Sequence, residues 1–244
     1  MSKQDGNKPV VDFHSDRAKG FAGSVVNYRE FMMMYTCALK EIQTKFDILN
    51  MEFKIRSQRN PISSITTRLK QTSSISRKLE KLEKEFTIKN IEENINDVAG
   101  IRVICAYVDD VYLVAQALLK QDDIVLIAKK DYIETPKPNG YRSLHLIVEV
   151  PVFFAESKRN VRVEVQLRTV AMDYWASLEH QLRYKNDVPD QERIVNDLTE
   201  CAAVIHSIER RMLEIRNEIE DSRDELTEDE ILFQKLSKLD ISVN

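Results

Sequence analysis

Glycine is scarce in this 244-residue sequence: there are five, and only Gly100 and Gly140 lie beyond residue 23. A Walker loop or a dinucleotide fingerprint needs clustered glycines so that backbone N–H groups can approach phosphate. Both are excluded, and any phosphate bound here has to be held by Arg and Lys side chains. Cysteine is sparse too. Cys37, Cys105 and Cys201 are odd in number and far apart, which argues against a disulfide framework or a cysteine metal site and suits a reducing, cytoplasmic setting. His14, His145, His180 and His206 show no i,i+4 pairing and no neighbouring cysteine, which argues against zinc. No apolar run approaches the ~18 residues of a membrane span, and the N-terminus has no apolar stretch of the secretory type. Neither a nucleophile elbow nor a triad pattern is present, and no His-Asp dipeptide occurs.

What the chain does have is charge, unevenly spread. It is 43% hydrophobic and 31% charged with a net charge of −4, so it can bury a core but does not as a whole advertise nucleic-acid binding. Between Lys54 and Lys81 there are eight Lys or Arg against one acid, Glu80; between Glu218 and Asp240 there are nine acids against three bases. A local basic stretch in an acidic protein fits a confined anionic ligand better than a long polyanion. A solvated basic helix face is the plainer alternative.

The apolar pattern predicts one mixed domain with helical extensions. Residues 1–24 read as a disordered lead. From about Val25, Phe31, Tyr35, Leu39, Ile42, Phe46, Leu49 and Phe53 step by threes and fours, predicting an N-terminal helix over 25–60. A catalytic domain over 61–186 follows. Strands are expected at 62–70, 97–108, 124–130 (buried), 143–150 and 161–168, with helices at 73–86 (capped by Thr72 or Ser73), 111–119 (capped by Asp109 or Asp110) and 170–184. A C-terminal helix over 187–222 carries Leu198, Ala202, Ile205, Ile208, Met212, Ile215 and Ile219 on one stripe, with Glu209 among the charges elsewhere, and an acidic tail occupies 223–244. The expected fold is α/β (α+β): a mixed five-stranded sheet flanked by helices.

Candidate chemistry clusters in a few segments. In Val161–Arg168, alternation places Arg162, Glu164, Gln166 and Arg168 on the face opposite Val161, Val163, Val165 and Leu167. Asp97 lies just before another core strand. Two carboxylates on neighbouring strands can hold Mg²⁺, which takes one or two protein carboxylates plus substrate phosphates; alone, Asp97 would be a turn or cap residue. Lys70, Ser74 and Lys78 are spaced by four and form a cationic ladder suited to a triphosphate, or simply a solvated surface. Tyr141, after Gly140, could stack a base or belong to the core. His145 lies opposite Leu144 and Leu146, as a site residue or a structural histidine.

Five ordered segments resemble the synthetase domain of RelA/SpoT-type (p)ppGpp synthetases. They are Arg68-Leu69-Lys70 with Ser74 and Lys78; Asp97-Val98-Ala99-Gly100-Ile101-Arg102; Pro138-Asn139-Gly140-Tyr141-Arg142-Ser143-Leu144-His145; Glu164-Val165-Gln166-Leu167-Arg168-Thr169; and Trp175-Ala176-Ser177-Leu178-Glu179-His180. The length resembles the short members, the small alarmone synthetases. The resemblance implies a nucleotidyltransferase-like synthetase domain that transfers the β,γ-pyrophosphate of ATP to the ribose 3′-hydroxyl of GDP or GTP and releases AMP. By the same resemblance, Arg68 and Arg102 would sandwich adenine, and Lys70, Ser74, Lys78 and Lys81 would hold the ATP phosphates. Asp97 and Glu164 would bind Mg²⁺, with Glu164 also the candidate base. Tyr141 would stack on guanine, and Lys137, His145 and Gln166 would contact the acceptor nucleotide. Asp173 stands where some relatives carry Asn, and either side chain can accept from guanine N1–H and N2–H₂. The family also implies a homotetramer. The missing His-Asp pair and the absence of a regulatory extension after the last helix lead to the expectation of synthesis without hydrolysis. Another Mg²⁺-dependent nucleotidyltransferase, or an RNA-binding regulator on a degenerate fold, are the competing readings.

Overall fold

The computed structural model describes residues 16–56, 59–183 and 191–221. In chain order the elements are α1 (Asp16–Arg56), β1 (Ile62–Leu69), α2 (Thr72–Lys81), α3 (Ile88–Asn94), β2 (Ala99–Cys105), α4 (Val108–Leu119), β3 (Val125–Asp131), β4 (Leu144–Phe153), β5 (Lys158–Thr169), α5 (Val170–Arg183) and α6 (Gln191–Asp221). The strands form a single mixed sheet in the order β1-β2-β5-β4-β3. Only the central β2–β5 pair is parallel.

Alternation divides this sheet into two unlike faces. Ile101 and Val103 of β2, Leu144, Leu146 and Val148 of β4, and Val161, Val163, Val165 and Leu167 of β5 are buried on one side. There they join the apolar stripe of α1, from Phe31 through Ile42 and Phe46 to Leu49, and Val111, Val114 and Leu118 of α4. The stripe expected on the first helix is therefore the lid of the core. The opposite face carries the polar side chains Arg102, Glu164 and Gln166.

Several expectations need correction. α1 begins at Asp16, inside the expected disordered lead; Gly20 and Gly23 interrupt the apolar period there without stopping a helix already nucleated downstream. Residues 1–15 and the acidic tail at 223–244 lie outside the described residues. The helix expected to reach residue 86 stops at Lys81, and Glu83 takes a left-handed φ of 55°. Leu82 and Phe86 are exposed. A separate helix, α3, follows, with Thr87 Oγ1 accepting from the Asn90 N–H at 3.1 Å. α4 starts at Val108, three residues earlier than expected. Asp110 is not its cap but sits inside the first turn, where its carboxylate accepts from the Tyr107 N–H at 3.2 Å and pairs with Arg59 at 2.6 Å. β3 is not buried: it is an edge strand, and Val125, Leu126 and Ile127 are all exposed. The α6 stripe splits. Leu198, Ala202 and Ile205 turn inward, Ile208, Met212 and Ile219 turn out, and the inward line continues with Glu209, which is 6% exposed.

Candidate active site

Register builds the site row by row. Arg68 of β1 stands opposite Gly100 of β2, which stands opposite Glu164 of β5. One step along, Thr66, Arg102, Gln166 and His145 line up across β1, β2, β5 and β4. The first row has a gap at Gly100, because that position carries no side chain. A Cβ there would meet only the backbone oxygens of Arg68 and Glu164, at 3.8 and 3.9 Å. The gap is the floor of a cavity of about 260 Å³ lined by Thr66, Arg68, Lys70, Asp97, Gly100, Arg102, Glu164 and Gln166. Sequence reasoning missed Thr66, which faces the cavity simply because it lies two residues before Arg68.

Asp97 enters from the turn before β2. Lys70, just past β1, bonds one carboxylate oxygen at 2.6 Å, and Lys78, on α2, bonds the other at 2.6 Å. Lys70 precedes the helix, yet the strand-to-helix turn still aims both ammonium groups at the same acid. Burial raises the Asp97 pKa, but the two lysines outweigh it and hold the carboxyl below its ordinary value. Ser74 is half-buried on α2 and does not line the cavity, and Lys81 is exposed at the helix end. The structure thus brings Lys70 and Lys78 to the cleft but not Lys81.

Glu164 belongs to a closed ring of side chains. Gln166 Nε2 donates to Glu164 Oε2 at 2.8 Å, and Arg168 Nη2 donates to Gln166 Oε1 at 3.2 Å and to the Tyr141 hydroxyl at 2.6 Å. Tyr141 then lies 2.8 Å from His145 Nε2, and His145 Nδ1 lies 3.4 Å from Glu164 Oε1. Because the phenol oxygen accepts from Arg168, its own proton is free for His145 Nε2. If that proton is donated to Nε2, the imidazole hydrogen sits on Nδ1, facing Glu164. Burial pushes the Glu164 pKa up, but hydrogen bonds from His145 and Gln166 outweigh it and hold it below the usual range.

Arg168 was not singled out in the sequence. It is 5% exposed, and besides Tyr141 it binds Asp173 at 3.1 Å, which also pairs with Arg102 at 3.3 Å. The alternation of β5 already put Arg168 on the polar face, but nothing local revealed its partners 27 residues upstream and five downstream. Burial, then the neighbouring Arg168 charge, pull Arg102 below its ordinary pKa, and its Nε is buried without a hydrogen-bond partner. Lys137 lies over the rings of Tyr132 and Tyr141, 4.5 and 4.7 Å from their centroids.

No group of three or more His, Cys, Asp or Glu among the described residues forms a metal cluster. The donor set instead fits a hard cation that shares its oxygens with a ligand. Asp97 and Glu164 line one cavity, and the Asp97 charge acts on Glu164. A larger cavity, about 790 Å³, opens between α1, α3 and the β4–β5 end, with Glu30, Glu92 and Glu149 beside Arg159 and Arg162. Its balance of charge suits a polyphosphate poorly, so the smaller cavity is the better candidate.

Residues 67–189 match a family described as "Region found in RelA / SpoT proteins". The chain belongs to the RelA/SpoT family. It is 42% identical to the GTP pyrophosphokinase YwaC of Bacillus subtilis, over 80% of this chain and 92% of that protein. The fold matches the crystal structure of small alarmone synthetase 2 from Bacillus subtilis with a TM-score of 0.70 at 41% identity, covering 79% of this chain and 99% of the other. It also matches small alarmone synthetase 1 from the same organism, bound to its product pppGpp, with a TM-score of 0.72 at 31% identity, covering 79% and 98%.

The clamp on Asp97 leads to a pH-dependent stability. A carboxyl whose folded pKa is depressed contributes stability above its unfolded pKa of ~3.9 and loses it as pH falls through the folded value. Asp97→Asn also leaves Lys70 and Lys78 facing each other. The variant should melt below the parent at pH 7, and the gap should close as the pH drops below about 4. Thermal melts across that range check this; a gap independent of pH would show that the charge of Asp97 is not what stabilises the fold.

Proposed function

We infer that this chain is a GTP pyrophosphokinase that makes (p)ppGpp, transferring the β,γ-pyrophosphate of ATP to the 3′-hydroxyl of GDP or GTP. The observation that carries this reading is one cavity holding two carboxylates, Asp97 and Glu164, among the cations Arg68, Lys70 and Arg102, in a fold shared with alarmone synthetases. The acceptor 3′-oxygen attacks the β-phosphorus of ATP, its proton passes to Glu164, and the bond from the β-phosphorus to the α-phosphate oxygen breaks to release AMP. Such a transfer needs alignment and charge stabilisation more than covalent participation by the protein.

Arg68 and Arg102 stand on adjacent strands at the cavity wall and would take the adenine between them. Lys70 and Lys78 would exchange Asp97 for the ATP phosphates, with Ser74 and Lys81 joining only by moving toward them. Mg²⁺ held by Asp97 and Glu164 would supply charge neutralisation at the phosphoryl oxygens. On the acceptor side, Tyr141 would carry guanine where the Lys137 ammonium now lies, freeing Lys137 for phosphate. Asp173, held by Arg102 and Arg168, would accept from guanine N1–H and N2–H₂, while His145 and Gln166 orient Glu164. With no His-Asp pair in the sequence, the reading is of synthesis without hydrolysis, in the cytoplasm.

We also propose the homotetramer. The outward α6 residues Val204, Ile208, Met212 and Ile219 and the α5 residues Val170, Tyr174, Leu178 and Leu182 are exposed at mostly four-residue spacing, an apolar surface that association would cover. Light scattering should show a species near four times 28.4 kDa; a fully active 28.4 kDa monomer would refute it.

With ATP, Mg²⁺ and GDP or GTP, the products should be AMP and a 3′-pyrophosphorylated guanosine. Free pyrophosphate with a nucleotidylated acceptor would identify a nucleotidyltransferase instead. Glu164→Gln should lower turnover by about 10²-fold or more while the melt is retained; near-normal turnover would sink the proposed site.

Tyr141→Ala should weaken GDP or GTP by roughly 1–3 kcal/mol, the worth of a base stack, and leave the KM for ATP alone. Equal losses for both nucleotides would make Tyr141 a packing residue.

A further inference from the structure

The loop before β4 that carries Tyr141 is closed by its own hydrogen bonds, Gly140 N–H to Lys137 O at 2.8 Å and Lys137 N–H to Tyr141 O at 3.1 Å, and α6 grips it from outside the sheet. Gly140 has a φ of +84°, and a Cβ there would lie 2.4 Å from the Cβ of Ala202 on α6. Next along α6, Glu209 is the buried carboxylate of an otherwise half-exposed helix. Its Oε2 accepts from Arg142 at 2.5 Å, and its Oε1 accepts from the Thr169 hydroxyl. Arg142 follows Tyr141 in the chain, and Thr169 follows Arg168. One carboxylate therefore fixes the immediate chain neighbours of both residues in the Tyr141–Arg168 hydrogen bond. Gly140 against Ala202 fixes the other side of Tyr141, and Trp175 Nε1, donating to Leu198 O at 3.0 Å, anchors α5 to the same helix. His206 Nδ1 on the same helix lies 3.6 Å from Glu209 Oε2.

We propose that Glu209 is a positioning residue for the acceptor nucleotide: through Arg142 and Thr169 it holds Tyr141 and Arg168 in the geometry that binds the guanine nucleotide. The role rests on the reading of Tyr141 as the guanine platform. Arg142 and Thr169, which Glu209 holds, do not line the cavity with Asp97 and Glu164, and its effect reaches Glu164 only at second hand through Arg168 and Gln166, so its loss falls chiefly on the acceptor side. A binding surface whose parts are fixed before the ligand arrives loses less freedom on binding, and a shell left loose gives that advantage away.

The test uses the full chain, with KM values for GDP and ATP, calorimetric binding of GDP without ATP, and a thermal melt. In Glu209→Ala the KM and Kd for GDP should rise on the order of tenfold, with the KM for ATP unchanged and kcat at saturating GDP nearly so. Glu209→Gln keeps the volume and an accepting oxygen but not the charge, so a smaller rise of about threefold is expected. In a Tyr141→Ala background, Glu209→Ala should add nothing, because both act through one contact. If Glu209→Ala does not fold, Glu209→Gln decides. A folded variant with unchanged GDP binding, parallel losses for both nucleotides, or additive losses with Tyr141→Ala would each overturn the proposal. An acceptor-selective Tyr141→Ala beside an unselective Glu209→Ala overturns only the role of Glu209. A Tyr141→Ala without selective loss overturns the platform reading itself.

Discussion

The parallel pairing of β2 with β5 is the constraint from which the rest of the site follows. It sets Gly100 beside Glu164 and Arg102 beside Gln166, at the centre of a sheet whose other pairings are antiparallel. Because side chains alternate, a slip of β5 by one residue would send Glu164 and Gln166 into the core and Val165 and Leu167 into the cleft. The valines that α1 covers are thus the reason the carboxylate faces outward. Core and site are the two sides of one register, and the energy that fixes the first fixes the second.

What could be read in the sequence was what depends on local period. The alternation at 161–168 separated apolar from polar faces, and the α1 stripe from Phe31 to Leu49 marked the core-facing side of that helix. What could not be read depends on neighbours distant along the chain. The run at Val125–Ile127 has the composition of a buried strand, and only its place at the sheet edge exposes it. The end of α2 carries no Gly or Pro; a left-handed Glu83 does the work, a conformation in which a non-glycine residue is uncommon. Arg168 and Glu209 look like ordinary surface charges until Tyr141, Asp173, Arg142 and Thr169 close around them. Buried charges are tolerated because they are paired, and pairing across tens of residues leaves no periodic trace.

α6 is held along its length, by Glu209 at its middle and by contacts at both ends. Near its start it packs on Gly140 and Trp175; near its end Arg216 lies over the Tyr107 ring and pairs with Asp109 at 2.8 Å, while Glu220 pairs with Arg59 at 3.1 Å. Tyr107 has Arg59 over its ring as well. The helix consequently ties the loop before β4 to the N-terminus of α4, two regions that the sheet itself does not connect directly. Its outer side, meanwhile, stays apolar and exposed.

Asp97, gripped by Lys70 and Lys78, gives the cleft a property of its own. The two ammonium groups are already satisfied, so the cleft does not act as a bare cationic trap. An anion that arrives unescorted must take a lysine from Asp97 and leave that carboxylate stranded, exchanging one ion pair for another with little net gain. An anion that brings its own divalent cation can satisfy Asp97 as it takes the lysines. On the proposed reading of this cleft, the internal salt bridge would favour chelated polyphosphates over naked ones, a selectivity set before any base or sugar is recognised.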